Sequence, residues 1–177
     1  MGLIINDKLP MFKKGYPTVS DKYNVAGGVL AGSTPVEFGD LVIKTGQTAN
    51  GNYYAAKGAS FTIANIGGFV VATNVKVAED FPATKVQVNP GEAFNLLMNG
   101  FIAVELAANI ATNIANIAAG QQVAVFLSGA QAGQITYTGA TSTDTSAVTA
   151  TDLPNVVFTG LYEKHADGKY YAEIYVK

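Results

Sequence analysis

Apolar residues in this chain come in short runs that tend to alternate with polar ones, and glycine-bearing turns separate the runs. That is the period of half-buried strands, not of helices. The pattern begins at residue 29. Pro35-Val36-Glu37-Phe38 and Leu41-Val42-Ile43 read as one strand interrupted by a turn or bulge at Gly39-Asp40. Asn50-Gly51, a strong hairpin signal, precedes Tyr53-Tyr54-Ala55-Ala56, and Gly67-Gly68 leads into Phe69–Thr73, Val75 and Val77. Val86 and Val88 come before the Asn89-Pro90-Gly91 turn. Phe94–Met98 and Phe101–Leu106 flank Asn99-Gly100, which predicts a second hairpin. Val123–Leu127, Ile135–Tyr137, Val156–Tyr162 and Tyr170–Val176 complete the set, the last two joined by an Asp167-Gly168 turn. The expected class is therefore mainly β.

Three stretches depart from this rhythm. Residues 1–25 have no sustained period, and Pro10 and Pro17 forbid a regular helix through them. They hold Lys8, Lys13, Lys14 and Lys22 against only Asp7 and Asp21, with Phe12, Tyr16 and Tyr23 spaced between. They read as an extended N-terminal arm that docks on something, ahead of a single β-rich domain over 26–177. Residues 105–119 set Leu106, Ile110, Ile114 and Ile117 at helical spacing, while the repeated Asn and Ile weaken a helix. A short helix is one of two open readings there. Residues 138–152 are rich in Thr, Ser and Ala and predict an exposed loop.

Composition narrows the function more than any motif does. Among 177 residues there is no Cys, Arg or Trp and only one His, while 49% are apolar. A disulfide-stapled scaffold is excluded, and a chain this long needs none, since it can bury roughly 70% of its unfolded surface. A net charge of −2 creates no field to recruit nucleic acid, and without Arg the usual guanine and phosphate clamps are missing. No apolar run approaches the ~20 residues of a membrane helix. The charges of residues 1–14 follow the short apolar stretch instead of preceding it, so a secretory leader is not expected. Charged residues make up only 14% of the chain, which suggests a surface largely covered by partners.

Candidate chemistry is sparse. His165 sits just before the Asp167-Gly168 turn and reads as a solvated turn residue, because catalysis needs a constellation around an imidazole. One His and no Cys leave no metal set, no acidic cluster has calcium-loop spacing, and no glycine run forms a phosphate cradle. Glycosidase carboxylates are set in space rather than in sequence, but nothing favours them. Tyr53-Tyr54 and Tyr170-Tyr171 are candidate aromatic platforms for a sugar. Adjacent strand residues face opposite sides, so each pair offers one ring and core packing is the stronger reading. No catalytic, metal or cofactor-binding residue is assigned, and the chain is read as no enzyme.

The order of segments carries a resemblance that no single segment does. Asp21-Lys22-Tyr23-Asn24 is followed by Thr34–Val42, Gly68-Phe69-Val70-Val71-Ala72, Gly91–Leu97 and Gly100-Phe101-Ile102-Ala103-Val104. Ala119-Gly120-Gln121-Gln122-Val123, Leu153–Phe158 and a terminal hairpin complete it, so that nearly the whole chain resembles the capsid cement (head decoration) proteins of tailed phages. Residues 107–118 and 138–152 look longer than that family's core. The resemblance implies a compact β-barrel or β-tulip-like domain on the outer surface of a bacteriophage capsid, where it stabilises the head. It also implies a homotrimer at local threefold positions, an arm lying across seams of the major capsid protein, and no cofactor, nucleic acid or membrane. Lys8, Phe12, Lys13, Lys14, Tyr16 and Tyr23 are the arm residues expected to touch the shell. The rival expectation is a glycan-binding or adhesive β module, such as the base of a head fibre.

Overall fold

A computed structural model of the chain describes residues 14–18, 23–49, 51–58, 60–72, 87–145 and 147–177. Its strands are, in chain order, β1 (Asn24–Leu30), β2 (Val36–Glu37), β3 (Leu41–Thr48), β4 (Gly51–Ala56), β5 (Ile66–Val71) and β6 (Gln87–Val88). They continue with β7 (Ala93–Glu105), β8 (Gln122–Val125), β9 (Ile135–Tyr137), β10 (Thr151–Lys164) and β11 (Tyr170–Val176). Within the large sheet the order is β1-β4-β3-β5-β7-β11-β10-β8-β9, and β1 pairs with β7 as well. That extra pairing closes β1, β4, β3, β5 and the first half of β7 into a ring, a small barrel with no open edge along β7. β2 and β6 form a separate short pair.

The barrel is filled by Leu30, Val42, Tyr54, Val70, Phe94 and Leu96 together with Val36, Phe38 and Val88. These are alternate positions of their strands, as period-two patterning requires. The Tyr54 ring lies against the backbones of Gly28 and Gly67, where a side-chain carbon on either glycine would come within 2.6 Å of it. Tyr54 is thus a core residue at 6% exposure.

The second half of β7 belongs to a second sheet, β7-β11-β10-β8-β9. This sheet curls back on itself: Leu106 bridges to Ile135, and the Ala107 N–H donates to the Ile135 carbonyl at 2.8 Å. Its interior holds Ile102, Val104, Val123, Val125, Phe158 and Ile174, and it packs against Leu41, Phe69, Val71 and Leu97 from the outside of the barrel. One long strand therefore serves two closed surfaces.

The parity of β7 shows how that is done. Phe94 and Leu96 point into the barrel, Leu97 points to the second core, and yet Ile102 and Val104 also point to the second core. An odd step separates Leu97 from Ile102, so the phase must flip between them. It flips at a bulge: Val25 pairs with Leu97 and Asn24 with Asn99, leaving Met98 as the extra residue, 53% exposed. The hairpin expected at Asn99-Gly100 does not form; the strand runs through it, with Gly100 at φ 129°. By contrast, β3 and β4 pair antiparallel with Thr48 opposite Gly51, as a hairpin there requires; Asn50 itself, like Val75, Val77 and Val86, lies outside the described residues.

The short helix left open over 105–119 is corrected to two 3-10 turns, Ala108–Thr112 and Ile114–Asn116. The apolar stripe is used all the same: Ile110 and Ile117 are buried in the second core. The Asn109 amide donates to the Thr141 carbonyl at 3.3 Å and its oxygen accepts from the Thr136 hydroxyl at 3.4 Å. The 138–152 segment, expected as an exposed loop, is mostly exposed and is anchored at a few points. Ala140 and Ala150 pack with Ala124 and Phe126 on the outward face of β8 and the residue after it. The Asp144 carboxylate accepts from the Ser142 hydroxyl at 2.6 Å and the Ala130 N–H at 3.0 Å. The two long segments thus clasp each other and cover a strand apolar on both faces.

Candidate functional site

Of the segment expected as an arm, residues 14–18 lie against the body. Pro17 bridges to Ile102 in antiparallel fashion, and the segment lies along the half of β7 that β1 does not cover. Gly15 N–H donates to the Ala103 carbonyl at 2.8 Å, Ala103 N–H to the Tyr16 carbonyl at 3.2 Å and Thr18 N–H to the Phe101 carbonyl at 3.3 Å. On its other side the Gly15 carbonyl accepts from Ala72 N–H at 2.8 Å. Gly15 and Gly39, at φ 78° and 81°, meet backbone to backbone.

Electrostatics adds a latch. The Lys14 ammonium lies 2.8 Å from an Asp40 oxygen and 3.1 Å from a Glu37 oxygen, and the second Asp40 oxygen accepts from the Glu37 N–H at 3.0 Å. Burial by itself would lower the Lys14 pKa; the charge and hydrogen bond of Asp40, then the charges of Glu37 and Glu105, outweigh it and raise the pKa above 10.5. For a cation with a raised folded value, the stabilisation is complete below 10.5 and fades as pH climbs through the higher folded value. Lys14→Met is therefore expected to cost about 1–3 kcal/mol at neutral pH. In chemical denaturation the gap between variant and wild type should shrink in strong alkali; a gap that stays constant would rule the latch out.

Beside the latch opens a cavity of about 430 Å³ between the barrel and the second sheet. Its rim carries Lys14 and Asp40 from one side and Lys57, Glu105, Asp167 and Lys169 around it. Lys169 lies 2.9 Å from a Glu105 oxygen, and the Tyr171 hydroxyl donates to the other at 3.4 Å. Burial and the Glu105 charge push the Tyr171 phenol upward. His165, expected as a solvated turn residue, instead stacks on the Tyr171 ring at 4.0 Å, with Nε2 3.6 Å from Glu163. Among the described residues no group of three or more His, Cys, Asp or Glu is placed to hold a metal ion.

Of the six arm residues singled out by sequence, Lys8, Phe12 and Lys13 lie outside the described residues. Lys14 is engaged by two carboxylates of the body, Tyr16 is half-buried beside β7, and Tyr23 is 40% exposed just before β1. Val25 and Met98, both exposed, flank the bulge next to it. The internal pairing of Lys14 escaped the sequence reading because its partners are 23 and 26 residues away.

Comparison with known proteins bears on what such a surface serves. The model of a family described as structural cement protein (E217 gp24/Pam3 gp6) matches residues 5–177. Among solved structures, a chain from the capsid of Myoviridae phage XM1 superimposes with a TM-score of 0.57 at 16% identity, covering 100% of this chain and 97% of that one. At that identity the likeness is one of fold. Among curated protein sequences, none matches.

Proposed function

Because the chain belongs to the structural cement protein family, we propose that it holds neighbouring major capsid subunits together through its N-terminal arm and acts by contact area, not by catalysis. At the level of the family its role is plain: it is a structural protein of the virion, lies on the capsid surface and stabilises the head. The observation that carries the finer reading is the splice at residues 14–18. There the chain is stitched to β7 by backbone hydrogen bonds and a double ion pair, so a pull on the preceding residues is delivered to the shared central strand.

Area and repetition suffice for such a role. Each square ångström of apolar contact contributes about 25 cal/mol, and a lattice of copies adds avidity. We place the protein as a homotrimer at local threefold positions. In support, no residue between Glu105 and Asp144 carries a charge, so symmetry copies could meet there without like-charge repulsion. The test is co-sedimentation of the protein with undecorated phage heads, beside a version lacking residues 1–13 that keeps the splice. Saturable binding by the full chain and its loss on truncation are expected. Equal binding by both would overturn the arm's role, and no binding by a folded full-length chain would overturn attachment altogether.

A further inference from the structure

Lys57 follows β4 directly and stands at the mouth of the cavity between the barrel and the second sheet. Its side chain is not loosely disposed. The aliphatic stem lies across the backbone of Gly133, so closely that a methyl group on that glycine would coincide with it, and Gly133 adopts φ 78°. The residue is half-buried, yet among the described residues no carboxylate pairs with it. The two other lysines of the cavity differ in this respect: Lys14 is answered by Asp40 and Glu37, and Lys169 by Glu105. A stem fixed by packing means that little rotamer freedom remains to be lost when a partner arrives.

We propose that this cleft is a socket for a single carboxylate side chain, an Asp or Glu of a shell subunit, with Lys57 as its counter-ion. Asp40 and Glu105 already hold their own lysines, and Asp167 sits on the rim with one oxygen accepting from the Lys169 N–H at 3.0 Å. A run of acidic residues would be repelled by that surround, so the fitting segment carries one acid among uncharged or basic neighbours. Leu41, Leu106, Ala107 and Ile135 close the floor of the cleft and are themselves buried, so the segment would meet mainly the rim. The identity of the partner rests on the capsid reading; the socket itself rests on Lys57, Gly133 and the cavity.

The test is amine footprinting of the protein free and bound to undecorated heads, with acetylation of each lysine read by mass spectrometry. Lys57 labelling should fall about tenfold on the heads while exposed Lys44 stays reactive, because acetylation needs a free amine that the reagent can reach, and a covered ammonium–carboxylate pair offers neither. In parallel, Lys57→Glu should weaken head binding about tenfold or more, and Gly133→Ala should weaken it too by displacing the stem, whereas Lys44→Glu should not. Matching thermal unfolding of Lys57→Glu and wild type separates this loss from misfolding. Undiminished labelling of Lys57 on the heads, or wild-type binding by Lys57→Glu, would overturn the socket while leaving the capsid role standing. A wild type that does not bind heads would remove both.

Discussion

Phe158→Ala is expected to lower the unfolding free energy by about 3–5 kcal/mol, the range for emptying a fully buried aromatic site. Phe158 has no exposed surface and lies in the core between the second sheet and the outer wall of the barrel. Its backbone is fixed as well: it pairs with Ile174, donates to the Gln121 carbonyl at 2.9 Å and accepts from Gly120 N–H at 2.8 Å. With the main chain held on both sides, the site cannot collapse around the missing ring, so the cavity persists and the cost falls toward the upper end. Just beyond, β10 bulges between Phe158 and Tyr162, and Leu161 emerges 51% exposed. Leu161→Ala should stay within about 0.5 kcal/mol, so the pair of variants in urea denaturation separates core from surface three residues apart. Similar losses for both would mean that β10 is packed differently from the arrangement described.

The contrast between these neighbours also shows where the sequence was legible. Alternation and turn residues identified β10 and β11, the Gly39-Asp40 interruption between β2 and β3, and the antiparallel β3–β4 pair, because each rests on signals nearby in the chain. Asn99-Gly100 carries the same local signal as a true hairpin. What decides against a turn is distant: β1 on one side and β5 and β11 on the other hold β7 straight through it. A glycine suited to a tight turn serves a bulged strand equally well.

Two further segments were only partly legible, for related reasons. The stripe of Leu106, Ile110, Ile114 and Ile117 has helical spacing, but Asn and Ile give the segment little helical preference of its own. It settles into 3-10 turns that deliver Ile110 and Ile117 to a core waiting for them. Residues 138–152 look exposed by composition and mostly are, but nothing within them shows that Ala140 and Ala150 anchor the segment. The signal lay elsewhere, in the unbroken run Val123–Leu127: a strand apolar on both faces needs a cover on each. As for the candidate site, the latch, the splice and the Lys57 cleft are all made by residues far apart in the chain, which no local pattern reveals.

The second large effect is expected at the splice itself. Gly15→Ala should detach residues 14–18 from β7 or, if they stay, destabilise the protein by more than about 2 kcal/mol. Two costs add at this position. A residue at φ 78° sits in the left-handed region that side chains disfavour, and the new methyl would land on Phe38 and the Gly39 backbone, neither of which can swing aside. Detachment would free Ala103 N–H from the Tyr16 carbonyl and Ala72 N–H from the Gly15 carbonyl, while the β7–β11 ladder keeps its own bonds. Hydrogen exchange reads this directly: the Ala103 and Ala72 amides should lose protection in the variant, with Ile174 and Ala172 unchanged. Full protection at Ala103 would show that the close glycine contact is not what holds the arm. If protection is lost, the consequence for the capsid follows from the order of the connections. On the proposed role, an arm still joined by its peptide bonds would continue to reach the shell, but the load would no longer pass through Gly15 and Lys14 into the strand shared by both halves of the body.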